Sequence, residues 1–260
     1  MARSSYYYYQ KRSHSTDKYQ AIKEIIKSVY HTHKGRLGYR RITLEIKQRG
    51  YIINHKTILR LMKVLGLKSL IRVKKYKSYK GERGKIAPNI LQRDFKAKQP
   101  NQKWATDITE FNVKGKKLYL SPVIDLFNGE IISYELSESP NFKQVITMLK
   151  SAFRKIGKNT NLILHSDQGW QYQMKQYQRI LKDKGIRQSM SRKGNCLDNA
   201  IIENFFGIIK SELFYIEKFN SINQLKKEII KYINYYNNDR IKLNLKGMSP
   251  VKYRAHHCQI

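Results

Sequence analysis

Three acids in a strongly basic chain stand where metal-assisted chemistry would need them. Asp107 lies in the strand-like run WATDITEFNV, Asp167 ends the apolar run NLILHSD, and Glu203 sits in the amphipathic stretch DNAIIENFFGIIK. A carboxylate at the end of a buried strand is costly unless a cation, a salt bridge or solvent compensates it. In a sheet whose first strand neighbours its fourth, the two aspartates converge at one edge. A helix that buries Ile202, Phe206, Ile209 and Leu213 against that sheet can present Glu203 to them, with Asn199 and Lys210 on the same face and Gly207 as a bare patch between. Converging carboxylates repel one another and need cations. Hard oxygen donors suit Mg²⁺ or Mn²⁺, and two such ions activate an attacking oxygen and stabilise a leaving one in phosphoryl transfer. Lys210, seven residues beyond Glu203, would hold a phosphate as a point charge. Chance proximity is the competing reading, because residues 104–260 contain 14 acids.

The net charge of +33, from 52 Lys and Arg against 19 Asp and Glu, favours a polyanionic partner. No apolar stretch approaches membrane-spanning length, and the opening MARSSYYYYQKRSH has no apolar signal core, so nucleic acid is favoured over a membrane surface. Cys196 and Cys258 lack the paired spacing of a zinc knuckle or a disulfide framework, which fits a reducing cytoplasm. His256, His257 and Cys258 read as a frayed tail, and His31 and His33 lack partners for a metal site.

The charge is uneven. Residues 1–103 hold 27 Lys and Arg against 5 acids, and the remainder holds 25 against 14. The expected organisation is a helical DNA-binding region (1–67), a basic linker (68–103), a catalytic core (104–215) and a C-terminal helix with its tail (216–260). In the first region YQAIKEIIKSVYHTHKG, GYRRITLEIKQRG and NHKTILRLMKVLGL read as three helices, with Gly50 and Gly66 as stops and Asn54 as an N-cap. Ile58, Leu61, Met62 and Leu65 recur at core spacing. Lys56, Arg60 and Lys63 form the opposite stripe, and Arg40 and Arg41 open the second helix. This suits a helix-turn-helix element that touches DNA, or an ordinary three-helix bundle with a solvated basic face. In the linker, lysines interleave with Tyr76 and Tyr79, a mixture able to track phosphates and stack on bases, or merely a solvated connection.

From residue 104, WATDITEFNV, KKLYLSPVIDLF and GEIISYELSES read as an antiparallel meander. Amphipathic helices then alternate with strands at NLILHSD and IRQSMS, and a helix opened by Asp198 as cap follows. The fold class expected is a mixed α/β sheet flanked by helices, preceded by a small all-α region. Trp104, Phe205 and Phe206 belong to the core, while His165 and Trp170 pack and orient. Gly169 lets the backbone turn away close to a ligand.

WATDIT, LHSDQGWQY, SMSRKGNCLDNAIIENFFGIIKSE and YYNNDRIKLNLKGMSPVKY, in this order, resemble the second-reading-frame catalytic subunit of bacterial insertion-sequence transposases, relatives of retroviral integrases. The resemblance runs over residues 36–254 and is strongest from 104 onward. With 35 residues between Asp167 and Glu203, it implies that Asp107, Asp167 and Glu203 are the catalytic, metal-binding acids and Lys210 the basic residue beside them. It further implies an RNase H-like core, Mg²⁺ or Mn²⁺ as two ions, and DNA strand cleavage followed by strand transfer. Asn199 would position Glu203 or touch DNA. The partners implied are the element's terminal repeats and target DNA, a homo-oligomer on that DNA, and an upstream-frame DNA-binding segment as a fusion, which a chain opening at MARSSYYYY is expected to lack. Three rival readings stand beside this one: an RNase H-like nuclease that cuts without joining, a DNA-binding regulator, and an inactive remnant that binds without cutting. The tyrosines at 6–9 suggest a tyrosine recombinase, but no Arg/His/Arg constellation accompanies them.

Overall fold

The computed structural model describes residues 17–70, 86–157, 160–192 and 196–258, together with Arg3, Ser4, Tyr6 and Tyr7. Tyr76 and Tyr79 fall outside the described residues. The chain divides into two compact units, residues 1–70 and 71–260.

The first unit contains the three expected helices: α1 (Gln20–Thr32), α2 (Tyr39–Gln48) and α3 (His55–Val64). Their apolar stripes close on one core of Ile22, Ile26, Val29, Leu37, Ile42, Ile46, Ile58, Leu61 and Met62. The Asn54 side chain caps α3 by accepting the Lys56 N–H at 2.8 Å. Gly50 and Gly66 follow their helices with φ of +89° and +68°, left-handed positions that favour glycine. Lys56, Arg60 and Lys63 are exposed along α3, and Arg60 lies over the Tyr19 ring at 5.4 Å.

The second unit is built on one mixed six-stranded sheet. Its strands are β1 (Lys103–Thr106), β2 (Thr109–Val113), β3 (Lys116–Asp125), β4 (Ile131–Ser137), β5 (Ile163–Ser166) and β6 (Arg187–Met190). WATDITEFNV, expected as a single strand, is two. Trp104–Thr106 pair with Val123–Asp125 and Thr109–Val113 with Lys116–Leu120, so the break at Asp107 and Ile108 lies across from Pro122. Proline has no N–H for the ladder, and the strand divides where that donor is missing. Asp107 therefore follows the strand and does not lie within it.

β1 runs parallel to β5, and β5 parallel to β6. The first and fourth strands expected from the sequence are thus neighbours. Side chains alternate between two apolar clusters. Trp104, Val123, Leu162 and Leu164 face α4 (Phe142–Phe153) and α5 (Lys175–Asp183). Ala105, Ile124 and Ile163 face α6 (Ala200–Ile209) and α7 (Ile222–Asn238). Burial on both faces explains why Leu162, Ile163 and Leu164, entering β5, form an apolar run. Residues 87–91, expected within a linker, lie along β6. The Ser189 hydroxyl accepts the N–H groups of Ile90 and Leu91 at 3.0 and 3.2 Å, and Leu91 is buried.

Past α6 the chain forms a π-helical turn, Lys210–Phe214, and Glu212 on that turn points inward. Arg240, just past the end of α7, grips both Glu212 carboxylate oxygens at 2.8 and 2.6 Å, and the Tyr232 hydroxyl donates at 2.8 Å. Both charged side chains are buried. The C-terminal helix α8 (Pro250–Cys258) is held similarly: Arg254 pairs with buried Asp125 and, at 2.9 Å, with Glu130.

Removing one member of a buried ion pair strands the other, a loss of about 3–5 kcal/mol. Arg240→Ala is expected to destabilise the second unit by that amount in urea unfolding. Glu212→Leu with Arg240→Met should recover most of it. A cost below about 1 kcal/mol for Arg240→Ala would contradict the buried pairing.

Candidate active site

The strand alternation already gathers the acids. Ala105 and Ile163 face the α6 side, and period two continued past the strands assigns Asp107 and Asp167 to that face. The β1–β5 register, which pairs Ala105 with His165, sets the two aspartates at corresponding ends of adjacent strands. The same side of the sheet is packed by α6 through Ile202, Phe205, Phe206 and Ile209, and Glu203 stands in the first turn of that helix.

The electrostatics agree with this convergence. The Asp107 carboxyl is held well above the usual carboxylate range, first by burial, then by repulsion from Asp167 and, more weakly, from Glu203. The Ile108 N–H, donated at 2.7 Å, and the charge of Lys210 oppose this only in part. Asp167 is also raised, again by burial first, against the Gly169 N–H donated to its Oδ1 at 2.8 Å. Both side chains are half-buried, so solvent reaches them even though protein surrounds them closely enough for desolvation to dominate. Tyr172 and Tyr177 pack behind them, ring centroids 5.4 Å apart. Burial pushes the Tyr172 hydroxyl up, and the charges of Asp107 and Asp167 push it further.

The remaining buried acids make a contrast. Asp125 pairs with Arg254, Asp198 with Arg93 and Arg192, and Glu212 with Arg240. Among the described residues no ion pair neutralises Asp107 or Asp167. Unneutralised hard oxygen donors at one sheet edge fit a divalent cation of the Mg²⁺ or Mn²⁺ class. Among the described residues no three His, Cys, Asp or Glu side chains are spaced to hold an ion as they stand. Ligation of one ion by all three acids together would require their side chains to shift from their present rotamers.

Other expected site residues are distributed as follows. Lys210 opens the π turn, its Nζ 5.5 Å from the centroid of Phe111 on β2. Asn199, not Asp198, is the N-cap residue of α6. It is only 2% exposed, and neither its side-chain oxygen nor its nitrogen has a hydrogen-bond partner. It is thus enclosed by protein at the start of the helix that bears Glu203. Trp170 is 52% exposed and does not pack as expected. His165 is buried, with Nδ1 2.9 Å from the Ser189 hydroxyl, and so ties β5 to β6. Arg40 is exposed and Arg41 half-buried at the start of α2. The sequence reading missed Asp198 as an ion-pair centre, although the basic residues flanking the loop in SRKGNCLD hinted at it.

A Cβ built on Gly169 would meet Gln171 Nε2 at 2.6 Å and Asp167 Oδ1 at 2.9 Å. Gly169 thus serves close approach to the aspartate. Gly169→Ala should displace the Asp167 carboxylate, lowering activity at least tenfold while the circular-dichroism spectrum stays native; full activity would contradict the packing.

A raised carboxyl pKa also has a signed consequence for stability. The folded state binds the Asp107 proton more tightly than the unfolded chain, so metal-free stability falls as pH climbs from the ordinary aspartate range through the raised pKa. Asp107→Asn should therefore raise the melting temperature in EDTA at neutral pH and have little effect below the ordinary aspartate range. A variant that melts lower at neutral pH would show that the carboxylate is already compensated.

The comparisons with known proteins follow this geometry. Residues 97–196 and 203–257 each match a family model described as integrase core domain, and residues 17–75 match an HTH-like domain. The putative transposase InsK for insertion sequence element IS150 of Escherichia coli is 57% identical over 97% of this chain and 89% of its own length. The transposase for insertion sequence element IS904 of Lactococcus lactis is 36% identical over 92% of this chain and 95% of its own. Among solved structures, the HTLV-2 integrase catalytic core domain in complex with magnesium aligns at a TM-score of 0.48 and 20% identity, covering 60% of this chain and 98% of that one.

Proposed function

We propose that this chain, which belongs to the insertion-sequence transposases built on an integrase core domain, carries out its DNA chemistry through Asp107, Asp167 and Glu203. The protein is a DNA transposase with an HTH-like N-terminal region. The observation that carries the assignment is the shared field of the three acids: Asp107 is repelled by both Asp167 and Glu203, and Lys210 lies within the same reach.

Asp107, Asp167 and Glu203 would hold the divalent ions, as two carboxylates from strand ends and one from a helix. When bound, such ions neutralise charge on the reacting phosphate and lower the pKa of an attacking hydroxyl or water. The chain's own residues supply orientation. The Gly169 N–H fixes one oxygen of Asp167, and the Ile108 N–H fixes one of Asp107. Asn199 occupies the N-cap position of the helix that carries Glu203, with its side chain buried beside the helix start. Lys210 supplies a fixed positive charge to a phosphate at the site. In the first step water attacks the phosphodiester at an element end, and the 3′-oxygen leaves as a hydroxyl. In the second that hydroxyl attacks a target phosphodiester in line, forming one bond as another breaks. Exposed Lys56, Arg60 and Lys63 on α3, with Arg40 and Arg41 on α2, contact the DNA backbone through the first unit. The two element ends are joined to target DNA by an oligomer of this chain, with the upstream-frame segment as a fusion partner.

Strand-transfer assays with element-end DNA test the reading. Joined product that requires Mg²⁺ or Mn²⁺ is expected, with a loss of at least a thousandfold in Glu203→Gln while DNA affinity changes less than twofold. Cleavage without joining would support a nuclease, and DNA binding without either step a regulator or inactive remnant.

A further inference from the structure

The molecule has a second charged cluster at the same edge of the sheet, which no step above uses. Asp198 is fully buried and accepts five hydrogen bonds. Its Oδ1 takes Arg93 Nε at 2.8 Å and Arg192 Nη2 at 3.1 Å. Its Oδ2 takes Arg192 Nε at 2.9 Å, the Arg192 backbone N–H at 3.0 Å and Asn89 Nδ2 at 3.0 Å. One carboxylate thus organises two guanidiniums, and the cluster keeps one net positive charge.

Both guanidiniums face outward. The Arg93 side chain is 44% exposed and that of Arg192 59%, whereas that of Asp198 is 0%. A guanidinium carries five N–H donors in a rigid fork. The bonds to Asp198 use one side-chain donor of Arg93 and two of Arg192, which leaves the rest of each fork outside that carboxylate. Unlike a surface lysine, each head is fixed in direction before any ligand arrives, which reduces the entropy lost on binding.

Position adds a second argument. β6 lies beside β5 in parallel, with Ser166 level with Met190, and the Ser191 N–H donates to the Ser166 carbonyl at 2.9 Å. By that register Ser191 stands level with Asp167 on the neighbouring strand, and Arg192 is the next residue, so it leaves the sheet at the end where Asp167 sits. The backbone supporting Arg93 is built at a cost. Gln92 and Arg93 have φ of +46° and +66°, two consecutive non-glycine residues in the left-handed region. Asn89 Oδ1 secures this loop by accepting the Gln92 N–H at 2.9 Å. Strained backbone of this kind persists where the surroundings enforce it, and it clusters at ligand sites.

We infer that Arg93 and Arg192, organised by Asp198, form a phosphate fork that grips the DNA backbone beside the carboxylates. The ligand is a phosphodiester, held by directed N–H donors and without base readout. The inference rests on the reading of the three acids only for the identity of the strand held there.

Binding of a fluorescently labelled DNA duplex, measured by anisotropy across a salt series, tests the fork. The variant Arg93→Gln/Arg192→Gln/Asp198→Asn replaces the whole cluster with neutral hydrogen-bonding side chains, so no buried charge is left alone. The slope of log affinity against log salt should become shallower by about 0.9 for each phosphate released. Affinity at low salt should fall at least fivefold, with little change in melting temperature. A folded variant with unchanged slope and affinity overturns the proposal and leaves the cluster a purely structural tie. Should the triple variant fail to fold, Arg93→Gln alone keeps the Arg192–Asp198 pair and must still make the slope shallower. Glu203→Gln, taken through the same titration and through the strand-transfer assay, separates the two claims. If it still joins DNA, the assignment of the acids fails while the fork stands; if it binds with the wild-type slope but does not join, only the fork variants bear on the fork.

Discussion

Desolvation of unpaired carboxylates at the ends of two parallel strands is the constraint around which the second unit is organised. The β1–β5 pairing places Asp107 and Asp167 at one edge, and both carboxyls are raised by burial before any other cause. Helices cover both faces of the sheet, so protein crowds these charges even at the edge that solvent reaches. A protein maintains such an arrangement at the expense of stability, and a bound cation is the natural compensation. In the proposed assignment, the transposase function and the fold meet at this point.

The acids elsewhere in the interior show how differently a structural carboxylate is treated. Asp125, Asp198 and Glu212 are each met by arginine, and each fixes a part of the chain that the site depends on. Glu212 with Arg240 secures the π turn that Lys210 begins. Asp125 with Arg254 fastens the C-terminal helix to the end of β3. Asp198 ties the segment after β6 to residues 89–93, one residue before the N-cap of the helix that bears Glu203. In a chain with 52 Lys and Arg against 19 acids, arginine is plentiful, so acids left without it are conspicuous.

Much of this was legible in the sequence, for physical reasons. The helices of the first unit announce themselves through apolar spacing, an Asn cap and glycine stops. The order of strands and helices after residue 104 was readable because Leu162, Ile163 and Leu164, entering β5, are apolar on both faces and the helices are amphipathic. The neighbouring of first and fourth strands was assumed, and the register bears it out. What escaped were interactions between residues far apart in the chain. Pro122 stands in KKLYLSPVIDLF, and its effect on the strand carrying Asp107 appears only when the two are paired. Asp198 reads locally as a helix cap, yet its partners include Asn89 and Arg93, more than a hundred residues away. Exposure of Trp170 and burial of Asn199 likewise depend on packing that local patterns do not encode.

The most direct measurement is Mn²⁺ binding by electron paramagnetic resonance, on the wild type and on Asp107→Asn, Asp167→Asn and Glu203→Gln singly, without DNA. Wild-type binding that weakens at least tenfold in each variant, while Asp125→Asn is judged only on its stability, is the result expected of three acids sharing one cation site. Mn²⁺ binding that is unchanged in the Asp107 and Asp167 variants would contradict it and leave the raised carboxyls at that edge without a function.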